Sequence, residues 1–112
     1  VTVNLIDNAV AAVAKVQQPQ ISLMTRYDRD LKTMRFVVAD NGEGIPTQDR
    51  GRIFEPYFST KEGGTGLGLA IVKRIIEDHN GFIRAMAHEP QGTKMVIEMP
   101  VNEVGAWRPA GE

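Results

Sequence analysis

Met34-Arg35-Phe36-Val37-Val38-Ala39-Asp40-Asn41-Gly42-Glu43-Gly44-Ile45-Pro46 is an alternating run that ends abruptly on a carboxylate and two glycines. Met34, Phe36 and Val38 lie two apart, the spacing of a half-buried strand. Asp40 follows among apolar neighbours, where it either caps the glycine turn or serves as a buried acceptor for a ligand N–H. An adenine 6-amino group is a suitable donor, and a site built around such a bond rejects analogues lacking it by ~10⁴ or more. Residues 40–64 are rich in Gly, Pro and polar side chains, with one helical turn at most, over Thr47–Arg52. At roughly 25 residues this segment exceeds the ~12–15 beyond which an irregular loop is functional or disordered.

Upstream, Ile21, Leu23, Thr25 and Tyr27 alternate, and Asp28-Arg29-Asp30 with Lys32-Thr33 suits a hairpin turn into the Met34 strand. Val1 to Val16 reads as a helix with Leu5, Ala9, Ala12 and Val16 as its buried stripe. It has no N-cap residue, as though the chain were truncated inside the element. Downstream, Thr65 to His79 is a second helix with Leu69, Val72 and Ile76 on one face, closed by Asn80-Gly81. Ile83-Ala85-Ala87 and Met95-Ile97-Met99 make a second hairpin around Glu89-Pro90-Gln91-Gly92. The order helix, hairpin, loop, helix, hairpin predicts an α+β layer: a mostly antiparallel sheet with both helices on one face. Residues 1–100 form the expected domain, and 101–112 a polar tail that frays.

Thirteen basic and 14 acidic residues leave a net charge of -1, against a nucleic-acid binder with its basic stripe. No apolar run approaches the ~18 residues of a membrane span. The absence of cysteine excludes disulfides, thiolate metal sites and cysteine nucleophiles, and two histidines are too few for a histidine cage. A cytoplasmic module making no membrane contact of its own is the expectation.

Gly63-Gly64-Thr65-Gly66-Leu67-Gly68-Leu69 stands just before the second helix. Backbone N–H groups there can converge on an anion, with favourable charge from the helix end, although a flexible turn explains glycines equally well. A Walker A loop requires Gly-Lys-Ser/Thr, and Gly68 is followed by Leu69. A Rossmann fingerprint requires a parallel βαβ unit, which this order lacks. On the first helix, Asn4 and Asn8 share a face. Mg²⁺ takes oxygen ligands and often only one or two protein groups besides phosphate and water, so the Asn8 amide oxygen would suffice. Asp7, about 100° round the helix, reads as a solvated residue.

These residues carry a family resemblance. Asn4-Leu5-Ile6-Asp7-Asn8-Ala9 resembles the N box of the GHKL ATPase superfamily, and Asp40-Asn41-Gly42-Glu43-Gly44-Ile45-Pro46 its G1 box. Ile53-Phe54-Glu55-Pro56-Tyr57-Phe58-Ser59-Thr60-Lys61 resembles the F box of bacterial sensor histidine kinases. Gly64 to Leu69 resembles the G2 box, and Gly92-Thr93 the last glycine motif. Five motifs in order span residues 4–99. The F-box ending and Asn8-Ala9-Val10-Ala11-Ala12 look most like nitrogen-regulation sensors, especially NtrY.

The resemblance implies the Bergerat two-layer α/β sandwich and a kinase domain that uses ATP and Mg²⁺. Asp40 would accept from the adenine amino group, with Thr93 supporting the same edge. Gly42 and Gly44 would let the backbone approach the base, beside Ile45. Asn8 would bind Mg²⁺, and Asn4 phosphate or a metal-bound water. Gly64, Thr65, Gly66, Leu67, Gly68 and Leu69 would hold the phosphates. Lys61, and also Arg50 or Arg52, would meet the terminal phosphate, while Phe54 and Phe58 anchor a lid over residues 44–64. The acceptor histidine would belong to a separate dimerisation domain of a homodimeric, inner-membrane sensor whose cytoplasmic output is a response regulator.

Many members carry Lys three residues after the second asparagine. Here that position is Ala11, so Lys61 or Lys15 must compensate. His79 suits a helix C-terminus and His88 a strand end; neither has the surroundings of a phosphoacceptor. Two alternatives use the same residues: a nucleotide-gated interaction module without phosphotransfer, and an anti-sigma-factor serine kinase, which the F box fits less well.

Overall fold

Asp28 makes the first hairpin turn. Its Oδ1 accepts from the Asp30 and Leu31 N–H groups at 3.0 Å each, and the Thr33 hydroxyl donates to the Leu31 carbonyl at 3.1 Å. The strands so joined are β1 (Ile21–Asp28) and β2 (Thr33–Asp40). A second hairpin, β3 (Phe82–Ala87) and β4 (Thr93–Pro100), docks β4 antiparallel against β2. The result is an open four-stranded antiparallel sheet in the order β1-β2-β4-β3. These are observations on a computed structural model, which describes residues 2–58 and 68–101.

Both helices, α1 (Thr2–Ala12) and α2 (Gly68–Asp78), lie on one face of the sheet. Because strand side chains alternate, Val38 of β2, Met95 and Ile97 of β4 and Ile83 of β3 share that face. They pack with Leu5 and Ala9 of α1 and Val72 and Ile76 of α2 in one core. Leu5 and Val72 are essentially inaccessible, and full burial of such a side chain is worth about 1.5–3 kcal/mol. The predicted α+β layer is therefore the observed architecture.

The element ends differ in instructive ways. The first helix was expected to reach Val16, but its last i→i−4 bond is Val13 N–H to Ala9. Ala14 and Val16 then bond to Ala11 and Val13, so the chain tightens into i→i−3 turns before Pro19. Its buried stripe is accordingly Leu5, Ala9 and Val13, with Ala12 and Val16 only half-buried. The long segment after β2 contains two short 3₁₀ turns, Thr47–Asp49 and Arg52–Phe54, the second inserting Ile53 and Phe54 into the core. At the end of α2, Asn80 takes the left-handed conformation (φ 63°) and Gly81 N–H returns to the Ile76 carbonyl at 2.9 Å. Every residue of β1 is exposed, since the helices cover β2, β4 and β3 but stop short of it. Among the described residues, no helix is long and apolar enough to cross a membrane.

Candidate nucleotide site

The last residue of β2 and the first of β4, Asp40 and Thr93, are register partners. They are the buried polar side chains among the described residues, each 6% exposed. Gly92 makes this approach of the β3–β4 turn possible. Its φ is 120°, and a Cβ there would overlap the Asp40 carbonyl oxygen.

Asp40 Oδ1 accepts from the Gly42 N–H at 2.9 Å, so the carboxylate does cap the glycine turn. One capped oxygen does not exhaust it, because an ionised carboxylate offers about four lone-pair sites. Gly42 in turn is pressed onto α1: a Cβ there would lie 2.5 Å from the Ala12 carbonyl oxygen. Two amide side chains complete the support. Asn41 Oδ1 accepts from Gln20 N–H at 2.8 Å while its Nδ2 donates to the Gln18 carbonyl at 2.9 Å. Gln91 Nε2 donates to the Gly42 carbonyl at 2.9 Å. The segment after Asp40 is thus tied to the α1–β1 connection, to α1 itself and to the β3–β4 turn. Sequence reading missed Asn41 and Gln91 as supports, since side chain-to-backbone bonds between distant loops leave no periodic signal.

Above Asp40 opens a cleft of about 1440 Å³ between α1, the start of α2, residues 43–58 and the β3–β4 turn. That exceeds the ~300–1,000 Å³ usual for small-molecule pockets. The structure brings Asn8, Asp40, Gly44, Ile45, Gly68, Leu69 and Thr93 to this wall, with Arg50 and Phe58. Gly44 has φ 81°, a conformation that favours glycine. Gly68, the first described residue of α2, lines the cleft at that helix's start. Lys15 and Ala11 also line it, and so does Asp7, which is exposed, as the sequence reading expects.

Other expected site residues stand elsewhere. Asn4 is half-buried on α1 and Phe54 is buried in the core; neither is in the cleft wall, and Gly42 lies behind it. Arg52 sits over the Phe58 ring at 4.8 Å and 3.9 Å from Glu55, also outside the wall. Lys61, Gly64, Thr65, Gly66 and Leu67 lie outside the described residues. The His79 ring bonds through Nδ1 to the Ile75 carbonyl at 2.8 Å, which ties it to the end of α2; His88 lines the cleft rim. Among the described residues no cluster of three His, Cys, Asp or Glu could hold a metal by itself. The donor set instead fits a hard cation held by ligand phosphates and an amide oxygen.

Known proteins are similar to this chain in sequence and fold. The family model described as "Histidine kinase-, DNA gyrase B-, and HSP90-like ATPase" matches residues 1–103. The sensor histidine kinase ZraS of Klebsiella oxytoca is 40% identical over 102 residues, 91% of this chain and 21% of ZraS. The sensory histidine kinase/phosphatase NtrB of Rhodobacter capsulatus is 40% identical over 112 aligned residues, covering 90% of this chain and 31% of NtrB. The chain thus spans under a third of these relatives' length. Among solved structures, the catalytic domain of histidine kinase ThkA superposes with a TM-score of 0.76 at 35% identity, covering 88% of this chain and 62% of that one. The acid at the end of β2, the glycine turns around it and these likenesses agree: the chain belongs to the histidine kinase-, DNA gyrase B- and HSP90-like ATPase family, as an ATPase domain of the sensor histidine kinase kind.

Proposed function

We propose that this domain, ending near residue 100, binds Mg·ATP and donates the γ-phosphoryl group to a histidine of a separate dimerisation domain. The observation that carries the reading is the buried Asp40–Thr93 pair at the floor of an open cleft. A carboxylate there accepts from the adenine 6-amino group, and the Thr93 hydroxyl serves the same edge of the base. Ile45 and Leu69 supply apolar wall for the ring. Gly68 and the N–H groups of Gly64, Thr65, Gly66 and Leu67 receive the phosphates. Asn8 supplies an oxygen to Mg²⁺, which when bound neutralises phosphate charge. Asn4, one helical turn from Asn8 and outside the cleft wall, would act on a phosphate or a metal-bound water only from behind Asn8. Lys61 meets the terminal phosphate, with Arg50 at the wall and Lys15 in place of the lysine absent at Ala11.

Phosphoryl transfer depends mainly on positioning and charge stabilisation. The acceptor imidazole nitrogen bonds to the γ-phosphorus as its bond to the β-phosphate oxygen breaks, and ADP leaves. The domain's share is to fix the triphosphate and shield the developing charge. The family resemblance implies that the whole protein is a homodimeric inner-membrane sensor with this domain on the cytoplasmic side; ThkA has been solved with the response regulator TrrA, and such a regulator is the expected downstream partner. A nitrogen-regulation role rests on the F-box ending and the likeness to NtrB.

Mixing the chain with a purified histidine-containing dimerisation domain and γ-labelled ATP tests the reading. Label on histidine is expected. Tight ATP binding with no label would leave a nucleotide-gated interaction module instead.

A further inference from the structure

The sheet face turned away from the helices has a composition of its own. Strand alternation and register place three cross-strand rows on it: Arg26-Arg35-Glu98-Phe82, Met24-Val37-Val96-Arg84, and Ser22-Ala39-Lys94-Met86. Val37, Val96 and Ala39 are buried at its centre, whereas Met24, Phe82 and Met86 are 52%, 48% and 36% exposed. Four cations, Arg26, Arg35, Arg84 and Lys94, meet two carboxylates, Glu98 and Asp28. Asp28 is already engaged by the hairpin turn. One oxygen, Glu98 Oε1, lies 4.0 Å from Arg35 Nε and 3.7 Å from an Arg84 terminal nitrogen. Each guanidinium carries five N–H donors, so one carboxylate cannot satisfy both. Arg35 Nε is buried without a hydrogen-bond partner. The face is therefore net positive in a chain whose net charge is -1.

We propose that this sheet face, which no described helix covers, docks an acidic segment of a partner protein. Charge complementarity names the occupant's sign: its carboxylates pair with the exposed guanidinium groups of Arg84 and Arg26 and with Lys94. Composition names its class. Arginine, methionine and aromatic residues are the types enriched at protein–protein contacts, and they dominate this face. Glu98 at its centre disfavours a uniformly anionic surface such as a lipid bilayer, which would bring charge onto the carboxylate as well as the cations. A second copy of the chain would set like charges against each other. Four strands about 4.8 Å apart make a face only roughly 15 Å wide, the scale of a transient, salt-sensitive contact and not of a permanent interface. This docking is independent of the nucleotide reading, since none of the residues in the three rows lines the cleft.

Methionine methyl groups report on the two faces separately. Met24 and Met86 lie on the open face, Met34, Met95 and Met99 on the helix side. The chain with isotope-labelled methionine methyls is titrated with a peptide of repeating Glu-Leu-Glu, and separately with vesicles of equal parts phosphatidylcholine and phosphatidylserine. Expected are peptide-dependent shifts of Met24 and Met86 with Met95 unmoved, weakening with salt, and no vesicle binding. Arg26→Glu/Arg84→Glu weakens the peptide about tenfold or more; Arg26→Ser/Arg84→Ser does so in the same direction, with an unshifted Met95 resonance showing the core intact. Absence of Met24 and Met86 shifts, equal affinity in the folded charge variants, or vesicles shifting those methyls would each overturn the proposal.

Discussion

Asp40 and Thr93 face each other across β2 and β4, buried to the same degree at the floor of the cleft. Cross-strand partners have Cβ atoms about 4.5–5.5 Å apart, so one flat ligand edge can meet both. Thr93→Val keeps the branched shape and removes the hydroxyl. A single hydrogen bond is worth about 0.5–1.5 kcal/mol, which predicts ATP affinity falling roughly 2–12-fold with the unfolding midpoint little changed. Calorimetric titration with a parallel denaturant melt checks both.

Gly92→Ala is predicted to damage the fold and the site together. Its Cβ would overlap the Asp40 carbonyl oxygen at a φ of 120°. Strained backbone of this kind costs about 1–3 kcal/mol before any overlap is counted. A urea melt should show at least that loss, and residual folded protein should bind ATP poorly. A melt matching the parent chain would contradict the geometry.

Lys15 lines the cleft four residues beyond Ala11, in the turns that follow α1. If it supplies the charge missing at Ala11, Lys15→Met lowers affinity for ATP roughly tenfold and leaves adenosine unaffected. Titrating both ligands separates phosphate contact from general damage, because equal losses would remove Lys15 from the phosphates.

Gln91→Leu removes the bond that ties the β3–β4 turn to the Gly42 carbonyl. The expected loss is about 0.5–1.5 kcal/mol of binding free energy, read as a several-fold weaker ATP titration. Thermal stability should change less, since Gln91 itself is exposed.

What the chain reveals without coordinates follows the range of the forces involved. Alternation fixed both hairpins to within a residue or two at each end, because strand periodicity is local. The end of α1 differs because Ala12 and Val16 continue a helical pattern, while the chain already turns into i→i−3 bonds from Ala14 on. Asp40 drew attention as an acid in apolar company. Its partner Thr93, 53 positions away, was paired with it by motif resemblance, not by any local rule. Asn41 and Gln91 were invisible because each bonds backbone that the fold alone brings near. Asp7 is exposed as its place on α1 predicts, though nothing in the sequence says that this side of the helix borders a cleft.

The most direct test is isothermal calorimetry of ATP against the parent chain and Asp40→Asn. Asparagine can keep one oxygen for the Gly42 N–H, but turns an amide donor toward the adenine amino group, donor against donor. ATP affinity should drop by at least about tenfold with an unchanged melting midpoint. Equal affinity in the two proteins would show that this carboxylate does not select the base.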